Sequence, residues 1–199
     1  MHGTFFDIGL GLGLSAACGL RPYLPALLSG ALASDGALGV RFKPGDFSFL
    51  QSGWWLLAVA VLFAAAYFLQ LRFGSERFDG VASPLVLAQA LAAGALLFAG
   101  TLAAHRDLWW PGLVGGAGAA ALARAAVVPV LRGARSRLPD RAAREALTVY
   151  LDGASVAVCA AAALLHPLGY VGAALLAWFL LRVRSRAGER YAGLRIMRR

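Results

Sequence analysis

Arg21 and Arg124 are charged residues placed where charge is costly. Each stands inside an apolar segment, and each lies twelve positions after a glycine, Gly9 in GLGLGLSAACGLRPYLP and Gly112 in GLVGGAGAAALARAAVVP. In that shared register Gly9, Leu10, Gly13, Ala16, Ala17 and Arg21 coincide with Gly112, Leu113, Gly116, Ala119, Ala120 and Arg124. An arginine in a membrane span costs about 3 kcal/mol or more to insert. Its planar fork donates paired, charge-assisted hydrogen bonds to a carboxylate or phosphate, so the chemistry on offer is anion binding. Asp152, inside a later apolar segment, is the matching anion, and Tyr23 beside Pro22 adds a hydroxyl. Two plainer readings compete. Asp152 pairs with an arginine for structure alone, or Arg124 snorkels to the headgroups from a helix end. Arg21 carries the site reading most strongly, because Gly19, Pro22 and Pro25 surround it and predict a helix break; Pro129 follows Arg124 in a similar way.

The elements that must position these residues are membrane helices. The chain is 60% hydrophobic and 15% charged, with a mean hydropathy of +0.68, too apolar for a soluble domain of its length. Its apolar runs are continuous rather than alternating, which excludes a β-barrel pattern. The expected fold is an all-α, polytopic transmembrane bundle of about six spans. The first runs from Phe5 to Ala33 and is broken near Leu20 to Pro25. The polar connection Ser34 to Gly53 follows, then spans from Trp54 to about Leu71 and from Ser83 to about Ala103. The second half crosses from Pro111 to about Leu131, from Ala146 to about Leu165, and, after His166 and Pro167, to about Leu181. The start, MHGTFFDIGL, has no basic leader region and carries Asp7, so the first segment is expected to remain in the mature protein.

The net charge of +9 sits at membrane edges. A charged turn holds Arg72, Glu76, Arg77 and Asp79, the loop Arg132 to Glu145 holds five arginines, and the tail Arg182 to Arg199 holds seven. The opposite loops hold Arg41, Lys43 and Arg106. Positive charge retained in the cytoplasm then predicts both termini inside, in a cytoplasmic membrane. Three spans per half is an odd number, so the halves, about residues 5–103 and 112–181, are expected to be inverted repeats with broken first helices meeting at a central site. Residues 1–181 form one transmembrane domain, and 182–199 a basic cytoplasmic tail.

Other function classes find little support. No aromatic-basic platform or groove-reading motif suggests nucleic acid. Cys18 and Cys159 lie in apolar runs without metal-ligand spacing, and no metal or cofactor is expected. The Asp152-Gly153 pair lacks the later aspartates of a CDP-alcohol phosphotransferase. Ser15 and Ser155 have no deep histidine as partner, since His2, His105 and His166 are terminal or interfacial, so no enzyme is expected.

LSAACGLRPYLPALLSGALA, the glycine-rich GLVGGAGAAALARAAVVPVLRG and YLDGASVAV together resemble a family of bacterial integral membrane proteins, domain of unknown function 4126. The resemblance spans most of the chain and is most specific in the small-residue run leading to Arg21 and Pro25. It implies a multi-pass membrane protein and supplies no activity. It also implies acids in both halves; Asp152 stands for the second, while Tyr67 to Leu71 holds none, which removes the acid pair of a proton-coupled mechanism.

The leading expectation is a transporter or channel for a small or lipid-linked anionic solute. The alternative is a non-transporting scaffold or lipid-organising protein acting through its arginine-rich cytoplasmic face; deleting Gly188 to Arg199 should abolish the latter and spare the former. Expected partners are membrane lipids with anionic headgroups and a small anionic solute, with a homo-oligomer left open; the small-residue faces Gly9/Gly13 and Gly112/Gly116 are read as packing between helices of the chain and identify no partner.

Overall fold

The computed structural model describes residues 3–73, 83–105 and 108–196, with side chains described as far as residue 182 except at 73, 83 and 141. Among the described residues the fold is all-helical. The helices are α1 (Thr4–Leu20), α2 (Tyr23–Asp35), α3 (Gly53–Phe73), α4 (Ser83–Ala104), α5 (Trp110–Arg135), α6 (Arg141–Leu164) and α7 (Leu168–Ile196). Four stretches are long and apolar enough to cross a membrane: Gly53–Arg72, Pro84–Ala104, Trp110–Arg135 and Ala142–Leu164. Thr4–Leu20 and Leu168–Arg182 are shorter apolar helices. Glu76, Arg77, Asp79, Arg106 and Asp107 lie outside the described residues, as do the side chains of the tail arginines beyond Arg182.

The first segment does not cross as one broken helix. Arg21 precedes a proline, which disfavours helical backbone, and it is extended at φ −147°, ψ 120°. Pro22 then starts α2 with its own φ at −72°. Pro25 falls in the first turn of α2, where a missing N–H leaves no helical bond unmade. Two marks on α6 and one in the junction after it fix the direction that follows. Arg21 meets Asp152, the Cys159 thiol donates to the Pro25 carbonyl at 3.8 Å, and a Cβ on Gly39 would lie 3.3 Å from His166 Nε2. On α1 the order is mirrored: positions 13 and 9 approach Ala162 and His166. Both helices therefore run from the Asp152 level towards His166 as they leave Arg21. α1 and α2 form a re-entrant hairpin with Arg21 and Pro22 at its tip. α2 ends at Gly36, whose left-handed φ of 65° lets its N–H cap Ala33 and Leu32.

This hairpin corrects the inverted repeat. α1 and α5 pass the same marks on α4 in the same order. Gly11 packs against Phe98 and Gly112 against Phe98 and Ala99, and one turn later on each helix Ser15 donates to the Gly94 carbonyl (2.7 Å) and Gly116 abuts that same carbonyl. The duplicated segments are thus parallel neighbours. The reason is parity: the turn at Arg21 gives the first half an even number of passes, so the second half starts from the same side. Pro129 is not a break either, since α5 continues through it to Arg135, and Gly19 lies within α1, packed against Ala120 and Ala123 of α5.

The centre of the bundle is α1, which packs against α4, α5, α6 and α7. Its glycines let backbones touch, which in lipid replaces the hydrophobic drive with dispersion contact. At the His166 end, residues 36–52 fold over the bundle with Val40, Phe42 and Leu50 fully buried beside Leu97 and Gly100. α3 stands outermost, with Trp54 83% exposed, as a lipid-facing helix would be.

Candidate functional site

Arg21 sits between two small clefts. On one side its Nε lies 2.9 Å from Asp152 Oδ1, with both side chains largely buried. The N–H does not aim along that line, so this is a charge contact rather than an aligned hydrogen bond, and Nη2 is buried with no hydrogen-bond partner. This first cleft also takes in Tyr23, Phe63, Tyr67 and Gln70, and its cavity of about 20 Å³ holds roughly one water. The Tyr23 hydroxyl donates to Gln89 Oε1 on α4 (2.5 Å) and its ring leans on Phe63 of α3, which holds the hairpin tip in place.

On the other side of Arg21 is a cavity of about 60 Å³ lined by Leu20, Arg21, Val86, Arg124, Val128, Leu131, Arg132, Arg135 and Leu151. Four arginines line this one space, Arg135 buried and Arg132 at an exposed position. Three come from α5, where positions 124, 128, 131, 132 and 135 form one helical face. Arg135 is only 7% exposed and donates from Nη2 to Thr148 Oγ1 on α6 at 2.9 Å. From Trp110, Arg124 lies about 21 Å and Arg135 about 37 Å along the helix at 1.5 Å per residue.

The structure brings Arg21 and Arg124 together as the spacing suggested, though along parallel rather than opposed helices. It places Tyr23 and Asp152 beside Arg21 in the first cleft. Arg132 and Arg135 were assigned to a cytoplasmic loop; they belong to the last turns of α5, and their helical spacing from Arg124 was the available signal. Gln70 and Gln89 carried none. No group of three or more histidine, cysteine or acidic residues that could hold a metal occurs among the described residues.

At the opposite end, Asp7 is buried and its Oδ2 lies 3.3 Å from His105 Nδ1, while the Thr101 hydroxyl donates to the Phe98 carbonyl (2.8 Å) and approaches that of Asp7 (3.5 Å). His166, in the α6–α7 junction, has its pKa lowered by burial, against the pull of Asp7. Its imidazole is therefore neutral at pH 7. These contacts anchor the start of α1 to α4 and to that junction.

The family model described as a domain of unknown function (DUF4126) matches residues 8–186. No curated protein and no solved structure matches the chain.

Proposed function

We propose, for a chain that belongs to the DUF4126 family, a membrane protein that binds the anionic group of a small or lipid-linked solute beneath its re-entrant tip and passes that solute across or along the bilayer. One observation carries the reading: Arg21 and Arg124 line a single cavity together with Arg132 and Arg135. A hairpin tip held by a side-chain ion pair is also a reasonable moving part, since irregular backbone at membrane depth persists only where protein or water satisfies it.

Sidedness follows from charge. The ends of α3 and α5, the α5–α6 loop, the start of α6 and the end of α7 share one side and hold eleven of the described arginines, against Arg41 and Lys43 on the other. The positive-inside rule puts the arginine cavity at the cytoplasmic face. With the hairpin counted as re-entrant, the same totals give five crossings, the N-terminus outside and the C-terminus inside, in place of the expected N-in arrangement.

Titration of purified protein with inorganic phosphate at low salt tests the site. Wild type should bind, and Arg124→Gln should weaken binding about tenfold or more, equivalent to ~1.4 kcal/mol. Wild-type protein that takes up no phosphate would contradict the reading. Efflux of phosphate from reconstituted vesicles separates passage from binding. The scaffold alternative rests on the tail and is tested by removing Gly188 to Arg199.

A further inference from the structure

The arginine cavity is not isolated. A groove of about 390 Å³ runs between α1, α6 and α7, lined by Gly13, Ala16, Leu20, Val158, Gly172 and Leu176 among others, and its walls are almost entirely apolar. That volume falls within the range of ligand sites, roughly 300–1,000 Å³. Leu20 lines both the groove and the arginine cavity, so the two meet at the hairpin tip. From Leu20 the groove extends along α1 towards Gly13 and Gly169, away from Arg124, Arg132 and Arg135. The result is one site with a cationic end and an apolar end, ordered as a lipid of the cytoplasmic leaflet is ordered: headgroup at the edge, chain towards the middle.

We infer that this composite site holds one anionic phospholipid of the cytoplasmic leaflet, its phosphate among the guanidinium groups and an acyl chain along the groove. The inference rests on the anion-binding reading above and names the ligand. Basic pockets between helices on the cytoplasmic side suit such headgroups. A zwitterionic lipid offers the same chain but adds a cation that four arginines repel. A free phosphate satisfies the arginines and leaves the groove without a role.

Gly172 separates these ligands. It lines the groove, and a Cβ built there meets nothing within 4 Å, so alanine, valine and leucine at this position fill the groove progressively without an initial clash. The full-length protein is to be reconstituted with equal amounts of dioleoylphosphatidylglycerol and dioleoylphosphatidylcholine and its retained lipid counted by native mass spectrometry. In parallel, lipid-depleted protein is titrated with inorganic phosphate. Wild type should retain one phosphatidylglycerol in preference to phosphatidylcholine. Retention should fall in the order alanine, valine, leucine at position 172, several-fold by leucine, while phosphate binding, which also reports a folded protein, persists. Arg124→Gln should lose both. Unchanged phosphatidylglycerol retention across the Gly172 series, or equal retention of the two lipids, overturns the lipid inference and leaves the anion site standing. Loss of phosphate binding from wild type overturns both.

Discussion

Asp152→Ala should destabilise the protein by about 3 kcal/mol or more, the usual cost of removing one member of a largely buried ion pair. The size follows from what is left behind. Arg21 has its Nε 2.9 Å from Asp152 and its Nη2 without a hydrogen-bond partner, and the cavity on its other side is lined by three further arginines. Without the carboxylate, an uncompensated cation stays at the tip of a hairpin surrounded by hydrocarbon. The double variant Arg21→Leu/Asp152→Ala should recover much of the loss, because it removes both charges together. Thermal unfolding in detergent measures Asp152→Ala, Arg21→Leu, the double variant and wild type as a cycle. A single variant as stable as wild type, or a double variant no better than the single, would show that the pair does not hold the tip. Inorganic phosphate should also raise the unfolding temperature of Asp152→Ala, since an anion in the cavity supplies the missing charge.

Gly116→Val should be among the most damaging of the helix-packing substitutions, by about 3 kcal/mol, at the upper end of overpacking costs. A Cβ at position 116 would lie 2.3 Å from the Gly94 carbonyl oxygen, which is backbone and has no rotamer to change. α4 and α5 would have to separate, and α1 packs against both. Gly118→Val is the matched control. It sits on the same helix, and nothing lies within 4 Å of a Cβ there. Its cost should stay near that of valine for glycine in a helix interior, a few tenths of a kcal/mol in either direction. Equal unfolding temperatures for the two variants would mean that α4 and α5 are not in backbone contact.

Much of the fold was legible because membrane spans announce themselves by length and hydropathy. The boundaries expected for the second and third spans lie within two residues of α3 and α4. The hairpin was not legible in the same way. Pro22 and Pro25 predict a break, but a break that continues across and one that turns back have the same local chemistry; the choice is made by partners distant in sequence, Asp152 and Cys159 on α6. Charge counting gave no help, since the division of positive charge is the same for either path and only the N-terminus changes side. The inverted repeat was then a sound deduction from the wrong parity. For the site, the Arg21–Arg124 register pointed to residues that do line one cavity. Arg132 and Arg135 were missed because a run of arginines reads as solvated loop, whereas α5 carries its helix, through Pro129, far enough to bury Arg135 and to set the exposed Arg132 at the rim of the cavity.

The whole account depends on the chain reversing at Arg21. The most direct measurement is sidedness labelling with a membrane-impermeant thiol reagent, in a background where the buried Cys18 and Cys159 are inert, on Gly3→Cys, Asp46→Cys and Arg137→Cys, all three at exposed positions. Gly3→Cys and Asp46→Cys should label from one side and Arg137→Cys from the other. If Gly3→Cys labels together with Arg137→Cys and opposite Asp46→Cys, the first segment crosses the membrane, and the hairpin that delivers Arg21 to the arginines of α5 does not exist.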